Sequence, residues 1–181
     1  MKRTRHLVGI ILTAIALAGC GDDKNDGGTA GGEYVFPAGT ATLAFTAMST
    51  AQLSVPVSGI ELTLALPAGM GVTTTTGGTG QIVNSTLTPG SALSGTNLAY
   101  GNYSASTRKA YLSMATTSSS YRSGEFLRLA CTVDTGTSIT LSGLRALNTP
   151  VTLVRAVGYD ALTNSTVDLT GKLAVTLDAV R

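Results

Sequence analysis

The stretch Ser58–Leu66 holds the tightest constraint on the fold. Ile60, Leu62, Leu64 and Leu66 recur at every second position, with Glu61, Thr63 and Ala65 between them. A period of two belongs to an extended strand with one face on a core, whereas a helix would scatter these side chains around its circumference. Pro67 ends the run because it has no amide hydrogen for a ladder, and Ala68-Gly69 supplies the turn.

The same pattern returns along the chain. Thr40–Ala47 sets Leu43, Phe45 and Ala47 on one face, and Gly124–Val133 sets Leu127, Leu129, Cys131 and Val133 against Phe126, Arg128, Ala130 and Thr132. Leu98–Tyr103 and Lys109–Ala115 flank Ser104–Arg108 as a hairpin, with Leu112 and Met114 facing inward. Strands are expected over Ser138–Leu144, Val151–Tyr159 and, in one or two pieces, Val167–Val180. Gly71–Asn97 reads as edge strands and loops, with a strand expected over Gln81–Leu87 and a turn at Pro89-Gly90. Almost no helix is expected. Eight or nine short strands without helical crossovers pair antiparallel, and burying one apolar face of each requires a second sheet. The expected fold class is all-β, an antiparallel two-sheet sandwich forming one domain over residues 33–181.

Ahead of that domain stand Lys2, Arg3 and Arg5, the apolar run Leu7–Leu17, and the box Leu17-Ala18-Gly19-Cys20. The run is shorter than the roughly 20 residues a membrane-crossing helix needs, and it reads as a secretory leader. The box resembles a bacterial lipoprotein cleavage site, which implies removal of residues 1–19 and lipidation of Cys20. Gly21–Gly32 is polar and glycine-rich, a flexible tether. The expected place is the cell envelope, with the membrane contacted through the lipid and the outer membrane favoured over the inner.

Charge and histidine content then exclude whole classes of function. The leader carries three of the twelve Lys and Arg and none of the ten Asp and Glu, so the remainder is close to neutral. It has no basic stripe for phosphate backbones, which argues against nucleic acid. The single histidine is His6, inside the leader. Ser-His and Cys-His nucleophilic pairs and imidazole metal sites are thereby removed. With Cys20 lipidated, Cys131 is left without an intrachain partner, and its alternation with core residues reads as burial of a small apolar side chain.

Three stretches are similar to the cohesin family, whose relatives include bacterial carbohydrate-binding modules. They are Ser58-Gly-Ile-Glu-Leu-Thr-Leu-Ala-Leu-Pro67, Ser123-Gly-Glu-Phe-Leu-Arg-Leu-Ala-Cys-Thr-Val133 and Tyr159-Asp-Ala-Leu-Thr-Asn164. The resemblance implies a jelly-roll sandwich and a non-catalytic recognition domain with a protein or polysaccharide partner. Pro67-Ala68 departs from the Tyr-Asp type of step usual in the family, and no dockerin-docking surface is identifiable.

Candidate sites each have a bland counterpart. Tyr100, Tyr103, Tyr111 and Tyr121 cluster around the hairpin and would suit stacking on sugars, although tyrosines at sandwich edges also pack with a wet hydroxyl. Asp160, Asn164 and Asp168 offer oxygens for calcium around one turn, although Asp and Asn also build turns through their own backbone. Glu61, Glu125, Asp134 and Asp178 are the carboxylates available to a hydrolase, but nothing in their spacing pairs them. No enzyme and no cofactor is expected. The acceptor-like Asn84-Ser-Thr86, Asn102-Tyr-Ser104 and Asn164-Ser-Thr166 follow from the abundance of these residues in loops. The rival expectation is an accessory subunit of a surface assembly, without a ligand pocket.

Overall fold

A computed structural model of the chain describes residues 32–181. The expected leader, the lipidation site Cys20 and the tether up to residue 31 lie outside the described residues. The elements are β1 (Gly39–Ser49), β2 (Val57–Ala65), β3 (Met70–Gly71), β4 (Thr79–Gln81), β5 (Leu87–Pro89), β6 (Asn97–Ser104), β7 (Lys109–Thr116), β8 (Gly124–Val133), α1 (Leu141–Leu147), β9 (Thr152–Asp160), β10 (Ser165–Asp168) and β11 (Leu173–Ala179).

The strands form two sheets. One has five strands in the order β11-β1-β8, with β3 and β5 both paired to β8; the other runs β10-β9-β2-β7-β6-β4. Every ladder is antiparallel. Alternation does what the sequence requires: Leu43 and Phe45 of β1, Leu127 and Leu129 of β8, and Leu62, Leu64 and Leu112 of the facing sheet are fully buried between the layers. Phe45 and Phe126 meet there with ring centroids 6.4 Å apart. Cys131 is 1% exposed, and burial pushes its thiol up to about 12. The chain is therefore the all-β, two-sheet antiparallel sandwich that its periodicity predicts.

Three local expectations are corrected. There are eleven strands among the described residues rather than eight or nine, because β3, β4 and β5 are pieces of two or three residues in a stretch with little alternation. The strand expected over Gln81–Leu87 is broken by a 3-10 turn at Asn84–Thr86, where the amide and hydroxyl of Thr86 both donate to the Val83 carbonyl. Ser138–Leu144 is not a strand, since α1 begins within it. Thr140 caps that helix by accepting from the Gly143 amide at 3.1 Å, and Leu141 and Leu144 bury one side of it. Val167–Val180 is indeed two pieces, parted by a 3-10 turn at Thr170–Lys172.

The registers give the sandwich two distinct ends. Gly39 of β1 lies opposite Val133, and Ala65 of β2 opposite Lys109; the Asp134 amide donates to the Gly69 carbonyl and joins these ends of the two sheets. Tyr34 and Phe36 are bonded to Leu141 and Ile139 at this same end, so the described chain begins here. The opposite end carries the loops after β1, after β7 and between β9 and β10.

Candidate functional site: the outer face of the six-stranded sheet

With Ile60, Leu62 and Leu64 turned inward, β2 presents Gly59, Glu61 and Thr63 outward. Cross-strand register assembles their neighbours. Glu61 lies between Arg155 of β9 and Ser113 of β7, and Ser113 lies opposite Tyr100 of β6. In the next row Gly59 lies between Val157 and Ala115, and Ala115 lies opposite Leu98. Gly59, Ser113 and Ala115 are small, so the sheet is hollowed there into a notch of about 180 Å³. Tyr100 walls it on one side, and Glu61, Arg155 and Val157 on the other. Leu98 and Tyr100 stand proud on β6, 59% and 40% exposed. One row on, the Tyr111 hydroxyl donates to Glu61 Oε2 at 2.5 Å. That bond to a carboxylate, more than burial, pushes the Tyr111 hydroxyl up to about 12.

At the end of the sandwich away from the start of the described chain, a cleft of about 610 Å³ opens between three loops. Val55 and Pro56 come from the loop after β1, Thr117 and Ser119 from the loop after β7, Tyr159 from the end of β9 and Leu162 from the β9–β10 turn. Leu162 is 96% exposed, and the hydroxyl of the half-exposed Tyr159 donates to Asn164 Oδ1. The loop after β7 is braced, because Thr116 Oγ1 donates to Asn97 Oδ1 at 2.5 Å and accepts from the Ser118 amide at 3.0 Å. Ser58 borders both cleft and notch. It sits at a β-bulge, where Val57 pairs with Gly158 and Gly59 with Val157, and its hydroxyl donates to the Val157 carbonyl at 3.3 Å.

The four sequence-predicted tyrosines do not make one strip. Tyr100 and Tyr111 share the outer face, but Tyr103 and Tyr121 are core residues. Tyr103 is three positions from Tyr100 on the same strand, so the pleat sends it to the opposite face. Tyr121 lies beneath the start of β8, its hydroxyl donating to the Gly124 carbonyl at 3.0 Å, and burial raises the pKa of both phenols. Tyr159 takes their place on the outer face. Its sequence signal is its alternation with Arg155 and Val157, the outward residues of β9.

Asp160, Asn164 and Asp168 do not converge. Asp160 accepts from the Leu162 amide and the Thr163 hydroxyl, each at 2.9 Å, and these bonds hold its carboxyl below the usual range. Asn164 has φ 51° at the turn, and its side-chain oxygen is engaged by Tyr159. Asp168, opposite Val157 further along the ladder, accepts from the hydroxyl of Thr170 at 2.6 Å and from its amide at 2.9 Å, which lowers its carboxyl too. Each builds a turn. Among the described residues no trio of His, Cys, Asp and Glu is arranged to hold a metal.

The carboxylates are likewise dispersed. Glu61 is on the six-stranded sheet, whereas Glu125 is on β8 and Asp178 on β11 of the other. Glu125 is gripped by Arg128 at 2.8 and 3.2 Å and by the Ser91 amide at 3.0 Å. Asp178 pairs with Arg145 at 2.9 Å, and Asp134 ends β8 at the turn closed by Thr137. A further recess of about 580 Å³, between the end of α1 and β11, is bordered by that Arg145–Asp178 pair. No helix among the described residues is long and apolar enough to cross a membrane. Compared with protein-family models, curated proteins and solved structures, the chain matches none.

Proposed function

We propose that the protein is a lipid-anchored, non-catalytic binding module of the cell envelope that recognises a protein or polysaccharide partner through the outer face of its six-stranded sheet. The observation that supports this is the pairing of exposed Leu98 and Tyr100 with the small-residue notch at Gly59, Ser113 and Ala115. Apolar side chains are common singly on surfaces, but a large aromatic beside a preformed recess is where a contact gains most. The lipoprotein-like box at Leu17–Cys20 supports the anchor, and the resemblance of three stretches to the cohesin family supports recognition over catalysis.

The test is capture of a partner from envelope extract by the full-length protein. Saturable capture that falls with Tyr100→Ala carries the reading, and capture indifferent to that change overturns it. Membrane partitioning of Cys20→Ala tests the anchor separately: a variant that still pellets with membranes refutes lipidation at this cysteine.

A further inference from the structure

We infer that the partner is an uncharged polysaccharide, lying from the far-end cleft over Ser58 into the notch beside Tyr100; this rests on the outer face being the binding face. Tyr159 borders the cleft and Tyr100 the notch, and Ser58 joins the two recesses. The two rings stand on β9 and β6, three strand spacings apart, about 14 Å before any offset along the strands. A ligand that touches both must be elongated.

The lining sets its chemistry. Val55, Pro56 and Leu162 make an apolar side to the cleft, while Ser119 contributes a hydroxyl and Ser58 and Thr117, whose hydroxyls already donate to the Val157 and Thr96 carbonyls, contribute acceptor oxygens. A pyranose ring has the same division, with C–H faces that stack on aromatics and an equatorial edge of hydroxyls. The only charged side chain at the cleft is Asp160, and both its oxygens already accept from Leu162 and Thr163. In the notch, Glu61 and Arg155 are cross-strand neighbours of opposite sign. The notch is balanced and the cleft carries a single negative charge, so neither recess offers the positive field for a polyanion nor the acidic cluster for a polycation.

A protein partner fits less well. At the notch the backbones of β2 and β7 are engaged in ladders on both sides, so an extended peptide finds no strand to join there. The ring at the cleft is also set in advance, Tyr159 by its bond to Asn164. Rigid rings lose little entropy on binding, which favours recognition of a repetitive, weakly featured polymer.

The experiment titrates the detergent-solubilised full chain by calorimetry with neutral β-1,4-linked glucose and N-acetylglucosamine hexasaccharides, and with an oligogalacturonate as the charged comparison. Saturable binding of a neutral hexasaccharide is expected, weakened about ten-fold by Tyr159→Ala and by Tyr100→Ala, since an aromatic stacking contact is worth about that much. Leu162→Ser changes a side chain that is almost wholly in solvent, so its expected loss of affinity cannot come from unfolding. Leu147→Ser, on α1 and away from both recesses, should leave the affinity unchanged. The inference is overturned if no neutral oligosaccharide binds, if the charged one binds more tightly, or if the Tyr159 and Leu162 variants bind as well as the parent. A protein partner captured in a Tyr100-dependent way without glycan binding would overturn it and leave the binding-module reading standing. The absence of any partner would remove both.

Discussion

The side-chain amide of Asn148 pairs with the backbone of Ala65 in both directions. Its Oδ1 accepts from the Ala65 amide at 2.8 Å and its Nδ2 donates to the Ala65 carbonyl at 2.8 Å. Ala65 is the last residue of β2, two positions past Thr63, where the ladder to β9 starts. Asn148 thus supplies the ladder contacts of a strand that has not yet begun, and a further bond to the Leu144 carbonyl at 2.9 Å fixes it to α1. Asn148→Ala should cost about 2–3 kcal/mol, because it leaves an amide and a carbonyl unpaired in a largely buried place. Urea unfolding of the variant measures this. A midpoint equal to the parent's would mean that water replaces the side chain at no cost.

The thiol of Cys131 should resist reagents in the folded protein. Burial raises its pKa to about 12, so almost no thiolate exists at neutral pH and the sulfur is out of reach. Labelling by a maleimide should track unfolding, with the native protein unreactive over hours. Cys131→Ser is expected to cost about 1–3 kcal/mol by placing a hydroxyl among Leu129, Val133 and their neighbours.

Glu125 should shape the acid limb of stability. The Arg128 guanidinium, helped by the Ser91 amide, holds its carboxyl below the ordinary value, so the folded state binds protons less readily than the unfolded chain. The resulting stability is present above the ordinary carboxylate range and is lost as pH falls toward the lowered value. Glu125→Gln should flatten the stability curve between neutrality and that acid range. A slope identical to the parent's would show that the pair contributes nothing.

Two glycines, Gly158 of β9 and Gly171 before β11, should respond very unequally to an added methyl group. A Cβ on Gly158 would lie 2.4 Å from the Pro56 carbonyl oxygen and 2.4 Å from Val55 Cγ2, so Gly158→Ala must push the cleft loop away from β9. A cost of about 1–3 kcal/mol is expected, with weaker ligand binding at the cleft. Gly171 has nothing within 4 Å of the same position, and Gly171→Ala should shift thermal stability by less than about 0.5 kcal/mol.

Legibility in the sequence followed the length of each alternating run. β1, β2 and β8 bury one full parity, so Leu43, Leu62 and Leu129 announce both strand and core face. α1 is not legible as a helix because seven residues hold only two apolar steps, Leu141 to Leu144 to Leu147, and its cap Thr140 looks like any strand threonine. β3, β4 and β5 are defined by their ladder partners rather than by their own residues. The site was half legible. Parity along β6 was sufficient to separate Tyr100 from Tyr103, but Tyr159 reaches the same face only because β2 and β7 pair between β9 and β6. Alternation with Arg155 and Val157 shows which side of β9 Tyr159 takes, but not that β9 lies in the same sheet as β6.

Because the described chain begins at one end of the sandwich and the cleft opens at the other, any pull between an anchor ahead of Glu33 and a partner held in the cleft runs along the strands. The first strand to meet that force is β1, which sits inside its sheet. It is held to β11 from Leu43 to Ser49 and to β8 from Gly39 to Ala47. Such a load shears both ladders at once instead of unzipping one bond after another. The position of β1 therefore gives the domain mechanical resistance along its strands, the direction in which the anchor and partner proposed above would pull.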